Sequence, residues 1–250
     1  IPKKVAFGLA YRVIFMKSKR MNSILYAANL LEGFKFVFSK KSVVKVMIIG
    51  ICGGSGSGKT TLLNRLASGY GYLNPTVFSM DNYYLPIQHQ AVDHNGEVNF
   101  DLPTALDKEK LVRDLYELSM GNSIEVKEYH FNSPPNKNVL ITLHPSDLII
   151  VEGLFLFHYP EVQEMLDFSV FIDVDHKIQL DRRLYRDQET RGYSREAILY
   201  QWNNHVLPCF DQFLAPYQKN ADFSFRNEED FDGEYSRLQA VIHGKIGSWF

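Results

Sequence analysis

The sequence predicts an α/β fold: a doubly wound parallel sheet with helices on both faces. Strand-like runs alternate with helix-like segments along most of the chain, which is the pattern of parallel sheets. The run at residues 43–51 is β-branched and apolar except for Lys45, as expected of a central strand that is buried on both faces. Because ligands bind outside the carboxyl ends of such strands, polar residues that follow a strand are the first candidates for a site.

Each predicted element has its own local signal. The five predicted strands of the sheet are residues 43–51, 76–80, 148–152, 168–174 and 223–225. Residues 123–129 and 139–143 alternate around the turn-rich segment 132–138, which predicts an inserted β-hairpin. The predicted helices are residues 59–67, 104–120, 177–189, 194–213 and 234–243. Leu111, Leu115 and Leu118 have helical spacing in the second helix, and Ser194 is the expected N-cap of the fourth.

The composition is that of an ordinary globular protein. The 250 residues are 45% hydrophobic with a net charge of −2, so the overall charge favours neither nucleic acid nor an anionic membrane. The two cysteines, Cys52 and Cys209, are far apart and lack metal-ligand spacing, which favours a reduced, cytoplasmic compartment. No stretch reaches the roughly 18–20 uninterrupted apolar residues of a membrane span.

The first 46 residues differ from the rest in charge. They contain ten Lys or Arg and one acidic residue, Glu32. We interpret residues 1–46 as a basic N-terminal extension that does not belong to the fold, and residues 47–250 as one domain. An acid-poor, amphipathic segment is also typical of an organellar presequence, and that alternative stays open.

A phosphate-binding loop follows the first predicted strand. Residues 53–60, GGSGSGKT, match the pattern G-x-x-x-x-G-K-[ST] and precede a predicted helix. Glycines let backbone N–H groups turn around phosphate oxygens, and the helix N-terminus favours the same anion. We therefore predict a P-loop NTPase-type sheet that binds ATP, with Lys59 at the β/γ phosphates and Thr60 at Mg²⁺. The candidate nucleotide-binding residues are Gly53, Gly54, Ser55, Gly56, Ser57, Gly58, Lys59, Thr60 and Thr61.

Two acidic residues stand at the carboxyl ends of predicted strands. Asp81 follows residues 76–80, and Glu152 ends residues 148–152. Phosphoryl transfer to an alcohol needs a group that orients the hydroxyl and accepts its proton. Asp81 is the candidate general base and a magnesium contact, and Glu152 is a second magnesium contact, direct or through water. A turn or N-cap role for Asp81 and a fold-stabilising role for Glu152 are the structural alternatives.

Arginines are concentrated on or just after one predicted helix: Arg182, Arg183, Arg186 and Arg191. Such charges usually form a solvated face with i,i+4 pairs. In a phosphotransferase the same residues can form a helical lid that closes over the triphosphate and neutralises developing charge. Arg182 and Arg186 are four residues apart and are expected to share a face, with Arg183 pointing elsewhere.

The chain resembles the uridine–cytidine kinase family, within the larger uridine kinase and phosphoribulokinase group. Beyond the generic P-loop at 49–61, the resembling blocks are SMDNYY at 79–84, NFDLPTALD at 99–107, YHF at 129–131, DLIIVEGLF at 147–155, FIDVD at 171–175 and RRLYRDQETRG at 182–192. They follow one another in the family's order and spacing. The resemblance implies phosphorylation of the 5′-hydroxyl of a pyrimidine ribonucleoside, uridine or cytidine, in pyrimidine salvage. The base of the phosphate donor, ATP or GTP, stays open.

The resemblance also assigns roles to individual residues. It makes Asp81 the catalytic base, with Thr60 and Glu152 at magnesium, and Asp101 the acid that grips the ribose hydroxyls. The candidate catalytic set is Asp81, Lys59, Arg186 and Arg191. The other candidate substrate contacts are Tyr84, Phe100, Tyr129 and Phe131 around the base, and Arg183 and Gln201 at the ribose. A turn role for Asp101 and core packing of the aromatic residues are the alternatives. The family also implies a homo-oligomer, a tetramer or a dimer, with no nucleic-acid or membrane partner.

Two departures from the family pattern concern the base of the nucleoside. Pro134 stands where the family has a histidine at the pyrimidine edge, and proline has no side-chain donor or acceptor. Readout there must be lost or taken over, for instance by His130, Asn132 or Ser133. Tyr193 stands where the family has an arginine. The uridine or cytidine preference is therefore less defined than the phosphoryl-transfer chemistry.

Three other functions are compatible with parts of the sequence. A related kinase could act on another hydroxyl, as in another nucleoside, a sugar phosphate, pantothenate or glycerate. A P-loop GTPase or mechanical ATPase is a second alternative, but the guanine-reading N-K-x-D is missing, since residues 136–139 are NKNV. A non-catalytic nucleotide-binding homologue is the third, and the presence of Lys59, Asp81 and Glu152 argues against it.

Overall fold

A computed structural model describes residues 46–130 and 139–247. Its strands are β1 (Met47–Gly53), β2 (Thr76–Ser79), β3 (Ala91–Val92), β4 (Val98–Asn99), β5 (Ile124–Lys127), β6 (Leu140–Leu143), β7 (Leu148–Glu152), β8 (Phe168–Asp173) and β9 (Phe223–Arg226). Five of them form a parallel sheet in the order β2-β7-β1-β8-β9. All seven residues of β1 and all five of β7 are buried, which confirms the central apolar strand that the sequence predicts.

Helices cover both faces of this sheet. They are α1 (Lys59–Gly69), α2 (Lys108–Ser119), α3 (Pro160–Gln163), α4 (His176–Arg191), α5 (Arg195–Gln201), α6 (Leu207–Cys209), α7 (Ala215–Gln218) and α8 (Phe231–Gly247). Successive residues of β1 alternate between two cores, as the two-residue period of a strand requires. Ile48 lies in the core with Leu111 of α2, whereas Ile49 lies in the core with Leu62 of α1 and Leu238 of α8. The predicted doubly wound architecture is confirmed.

Two antiparallel ribbons extend from the sheet. β5 pairs with β6, with Ile124 opposite Leu143, which confirms the predicted hairpin; its turn at 131–138 lies outside the described residues. β3 pairs with β4, and the sequence analysis did not predict this ribbon. Its strands have two residues each, too few to show an alternating pattern.

Some predicted boundaries were wrong for local reasons. β1 continues to Gly53 because Cys52 and Gly53 pair with Phe171 and Ile172 of β8. α2 begins at Lys108 rather than 104, because residues 103–105 form a 3₁₀ turn and Leu106 pairs with Tyr84.

The predicted fourth helix is not a uniform α-helix. Ser194 is its N-cap as predicted, with Oγ accepting from the N–H of Ala197 over 3.2 Å. Two π-helical turns, Trp202–Val206 and Phe210–Leu214, separate α5, α6 and α7. We refer to residues 195–218 as the π-bulged segment. Such turns occur often at functional sites.

Three further features bear on the sequence analysis. Cys52 and Cys209 are both buried and unpaired, as expected of a chain without a disulfide framework. The predicted extension 1–46 lies outside the described residues except for Val46, which is buried in the core, so the fold begins at least one residue earlier than predicted. In the part that is described, no helix is both long enough and apolar enough to cross a membrane.

Candidate active site

The parallel register brings the P-loop and both candidate acids to one edge of the sheet. Glu152 at the end of β7 is opposite Ser79 of β2 on one side and Ile51 of β1 on the other. Asp81 follows Ser79 by two residues, in a 3₁₀ turn at Met80–Tyr83. The P-loop starts where β1 ends. The carboxyl ends of three adjacent strands therefore supply the parts of one site.

The P-loop backbone needs glycine at defined positions. Gly56 has φ +80° and Gly58 has φ +98°, values in the left-handed region that favours glycine. A Cβ on Gly56 would also meet the carbonyl of Gln179, and one on Gly58 the amide of Asn227. Asn227 donates to the Ser57 carbonyl over 2.7 Å. Gln179 and Asn227 thus pack against the P-loop backbone and restrict its conformation.

The P-loop side chains fit a bound triphosphate. Lys59 Nζ donates to the Gly54 carbonyl over 3.0 Å, so its ammonium folds back over the loop. Within the described residues, Ser57 Oγ is buried and has no hydrogen-bond partner. Thr60 and Thr61 open α1 on its exposed side. A loop with a free buried hydroxyl, a poised ammonium and a helix N-terminus suits a phosphate chain.

Glu152 and Asp81 form a pair of acids that repel each other. Glu152 is 3% exposed and its Oε1 accepts from Ser79 Oγ over 2.7 Å. Burial, and next the charge of Asp81, raise the pKa of Glu152 to about 7. Burial likewise raises the pKa of Asp81, against the lowering effect of Lys59, Arg191 and Arg186. Burial and mutual repulsion therefore disfavour the charged forms of both acids, and Lys59, Arg186 and Arg191 oppose this effect at Asp81.

This donor set fits magnesium. Mg²⁺ prefers carboxylate, hydroxyl and phosphate oxygens and keeps several waters. Glu152, Asp81 and the Thr60 hydroxyl are oxygen donors of this kind at one edge of the sheet. Residues 46–130 and 139–247 contain no cluster of three or more His, Cys, Asp or Glu that could hold a metal ion, so a cation here would share its shell with substrate and water.

Three arginines converge on one buried acid, Asp187. The Asp187 side chain is 1% exposed, and its oxygens lie 3.3 Å from Nε of Arg183, 2.7 Å from Nε of Arg186 and 3.3 Å from NH1 of Arg191. One carboxylate cannot neutralise three guanidinium groups, so the cluster keeps positive charge near Asp81. Sequence reasoning missed Asp187 as their common partner, although its spacing of four from both Arg183 and Arg191 was a usable signal.

The arginines of α4 do not all have the same partner. Arg182 does not share a partner with Arg186: it donates to the Asn227 carbonyl over 2.9 Å. Arg183, expected to point elsewhere, joins Arg186 at Asp187 instead. Asp187 follows Arg183 by four residues and Arg186 by one, so both side chains can reach its carboxylate.

Arg183 and Gln201, both predicted ribose contacts, lie side by side. Arg183 donates from NH1 to Ser55 Oγ and from NH2 to Gln201 Oε1, each over 2.8 Å. Arg183 is buried, so it joins α4, the P-loop and the π-bulged segment. Any contact with a ribose would have to be made from this bridging position.

The predicted aromatic wall is assembled beside Asp81. The rings of Tyr84 and Tyr129 are 5.2 Å apart, and those of Tyr84 and Phe100 are 6.0 Å apart. Asn82, which sequence reasoning missed, accepts from the N–H of Tyr129 through Oδ1 over 3.0 Å and so ties the hairpin to the turn that contains Asp81. Phe131 and Pro134 lie outside the described residues.

Further contacts connect the wall with the acids. Burial, and next Asp81 and Asp101, raise the pKa of Tyr84 well above its usual value. Burial, and next Tyr193, raise the pKa of Tyr129. Asp101 is partly buried, and its N–H donates to Asn99 Oδ1 over 2.9 Å. Asp101 also shares the lining of a cavity with Ser55 and Trp202. The candidate acceptor side therefore lies between the aromatic wall, the P-loop and the π-bulged segment.

The sheet, the P-loop and the acids at its edge define a P-loop kinase fold. The model of the phosphoribulokinase/uridine kinase family matches residues 48–232, and the chain belongs to this family of kinases. It is 37% identical over 199 residues to a uridine kinase of Staphylococcus aureus, which covers 78% of this chain and 96% of the relative.

Solved structures show the same fold. A possible uridine kinase from Bacillus stearothermophilus aligns with a TM-score of 0.53 and 21% identity, covering 82% of this chain and 97% of that one. Phosphoribulokinase from Rhodobacter spheroides aligns with a TM-score of 0.55 and 16% identity, covering 77% and 74%.

Proposed function

We propose that this kinase transfers the γ-phosphoryl group of ATP to the 5′-hydroxyl of a pyrimidine ribonucleoside, uridine or cytidine. The observation that carries the proposal is the placement of Asp81 between two structures: the phosphate-binding loop with Lys59, and the aromatic wall of Tyr84 and Tyr129. A carboxylate in that position can hold an alcohol against a phosphate chain. The relationship to a uridine kinase at 37% identity supports a nucleoside as the source of that alcohol.

Each residue group has a distinct task in this mechanism. The P-loop amides and Lys59 bind the triphosphate, and the aromatic wall stacks the base. Asp101 accepts hydrogen bonds from the ribose hydroxyls, which fixes the sugar. Asp81 accepts a hydrogen bond from the 5′-hydroxyl, aims its oxygen at the γ-phosphorus, and takes its proton as transfer proceeds. Lys59, Arg186 and Arg191 stabilise the charge on the moving phosphoryl group.

Magnesium would be held by Thr60 and Glu152, with Asp81 close by. When bound, the ion neutralises phosphate charge and orients the β and γ phosphates. Ser79 holds Glu152 in place through its 2.7 Å hydrogen bond. A bound cation would favour the carboxylate forms of both acids, which otherwise repel each other.

The arginines of α4 have a second task in this proposal. Asp187 holds Arg186 and Arg191 near Asp81 before substrate is present, so that closure of α4 over the triphosphate needs little reorganisation. We assign the activity to residues 47–250, in the cytoplasm and in pyrimidine salvage, and expect a homo-oligomer.

The test is a coupled assay of ADP release over a panel of acceptors: uridine, cytidine, adenosine, guanosine, pantothenate and glycerate. We expect kcat/KM for uridine or cytidine to exceed that for the other alcohols by at least ~100-fold, the discrimination that a site built to hydrogen-bond its substrate provides. Preferential turnover of pantothenate or glycerate would replace the nucleoside in this proposal and leave the kinase chemistry intact. ATP binding without turnover of any acceptor would contradict the proposal.

A further inference from the structure

A hydrogen-bonded network, buried at His205, joins the β3–β4 ribbon to the π-bulged segment. Asp93, in the turn of the ribbon, accepts through Oδ2 from the hydroxyl of Tyr200 over 2.6 Å. His205 Nε2 lies 2.8 Å from the same oxygen, and its side chain is 1% exposed. Asn95 donates to the Tyr200 hydroxyl over 2.6 Å. The phosphoryl-transfer mechanism uses none of these groups.

The second oxygen of Asp93 organises the ribbon itself. Oδ1 accepts from the N–H groups of Asn95 and Glu97, over 2.8 and 3.0 Å. Hydrogen bonds from Tyr200, and next from His205, hold the pKa of Asp93 well below its usual range. One carboxylate therefore shapes the turn through one oxygen and docks it onto the helical segment through the other.

Both ends of this network lead directly to the acceptor side of the site. On the ribbon, β4 runs into Phe100 and Asp101, and Asn99 accepts from the N–H of Asp101. On the helical side, Tyr200 precedes Gln201, and His205 lies in the first π-helical turn. Trp202 of that turn lines the same cavity as Asp101. A shift of the ribbon would move Asp101 relative to Gln201 and the P-loop.

We infer that Asp93, Tyr200 and His205 are positioning residues for the acceptor: they fix the ribbon so that Asp101 faces the π-bulged segment across the acceptor cavity. The inference rests on the proposed function, since it assigns this cavity to the phosphoryl acceptor. The three residues act through Asp101, because none of them lines the cavity and the ribbon leads into Asp101, which does. Its loss should weaken acceptor binding and leave ATP binding intact.

The experiment compares His205→Leu with His205→Gln, which keeps a side-chain N–H where Nε2 lies. We expect His205→Leu to raise the acceptor KM by roughly 10- to 100-fold, the scale of a misplaced substrate-positioning group, with the ATP KM changed less than twofold. His205→Gln should recover most of the loss. The matched control is His94→Leu, because His94 is exposed and follows Asp93 in the turn of the ribbon. Asp101→Ala is the reference for complete loss of the acceptor carboxylate.

Two results would overturn the inference. One is an unchanged acceptor KM in His205→Leu. The other is a similar rise in the acceptor KM and the ATP KM together with a lower Tm, which would indicate general destabilisation. If His205→Leu does not fold, Tyr200→Phe, which removes one hydroxyl, must show the same selective rise. Amide exchange of residues 91–101 separates this test from the proposed function. Exchange there should accelerate at least ~10-fold in His205→Leu, because the ribbon can then open without breaking the hydrogen bond between His205 and Asp93. Unchanged exchange would refute the inference whichever acceptor the enzyme uses.

Discussion

Arg183 donates to the Oγ of Ser55 over 2.8 Å and thereby connects helix α4 directly to the phosphate-binding loop. Its NH2 donates to Gln201 Oε1, and its Nε forms an ion pair with Asp187 over 3.3 Å. A single planar guanidinium thus links three parts of the candidate site. Any movement of α4 toward a bound triphosphate must exchange or preserve these contacts.

Replacement of Arg183 by lysine should break this connection. The lysine ammonium cannot keep three diverging contacts at once, so we expect kcat/KM to fall by about 100-fold, the equivalent of ~3 kcal/mol. Arg195→Lys is the matched control because Arg195 is exposed at the start of α5, and it should stay within about twofold of wild type. If Arg183→Lys and Arg195→Lys change kcat/KM equally, the contacts of Arg183 do not contribute to activity.

Asp187→Asn should impair both stability and catalysis. An amide cannot balance three guanidinium groups, and breaking a buried ion pair typically costs about 3–5 kcal/mol. We expect a lower Tm and a kcat reduced by roughly 10- to 100-fold, since Arg186 and Arg191 lose the partner that positions them. Asp181→Asn is the control on the exposed face of the same helix. Normal kcat in Asp187→Asn would show that the arginines do not need this anchor.

Asp81→Asn should separate chemistry from nucleotide binding. The amide keeps the size of the side chain but cannot accept the proton of the 5′-hydroxyl, so kcat should fall by about 100- to 10,000-fold, the usual contribution of a general base. The Kd for ATP, measured by calorimetry in the presence of magnesium, should change little. Turnover near the wild-type rate would remove Asp81 from the role of general base.

Glu152 should make the metal-free protein sensitive to pH. Its pKa is raised to about 7 from an ordinary value of 4.5, so the folded protein holds this proton more tightly than the unfolded chain does. The resulting stability is fully present below pH 4.5 and is lost as pH rises to about 7, a change on the order of 3 kcal/mol.

The measurement is Tm from pH 5 to 7.5 in EDTA. Glu152→Gln cannot ionise and should show a flatter profile, whereas Glu164→Gln, an exposed control, should follow wild type. Addition of magnesium and ATP at pH 7.5 should raise the Tm of wild type more than that of Glu152→Gln. Parallel profiles for all three proteins would contradict the assigned environment of Glu152.

The sequence was informative where a chemical requirement has a local pattern. The P-loop glycines and the acids at the carboxyl ends of β2 and β7 have local patterns, whereas the aromatic wall was inferred from the family resemblance; the structure brings the described members of all three groups together. The Asp93–His205 pair joins residues 112 positions apart, and no local pattern marks either as a partner of the other. The π-helical turns were also missed, because they have the same apolar spacing as an α-helix to within one residue.

The two cysteines offer a practical consequence of the buried sheet. Cys52 lies in β1 with Sγ 3.2 Å from the Leu154 carbonyl, and burial raises its pKa to about 11. Burial also raises the pKa of Cys209. Since the thiolate is the form that is alkylated, iodoacetamide should not modify the folded kinase at neutral pH. The rate at which Cys52 is labelled would then report how often the central strand beneath the phosphate loop opens, without any added reporter group.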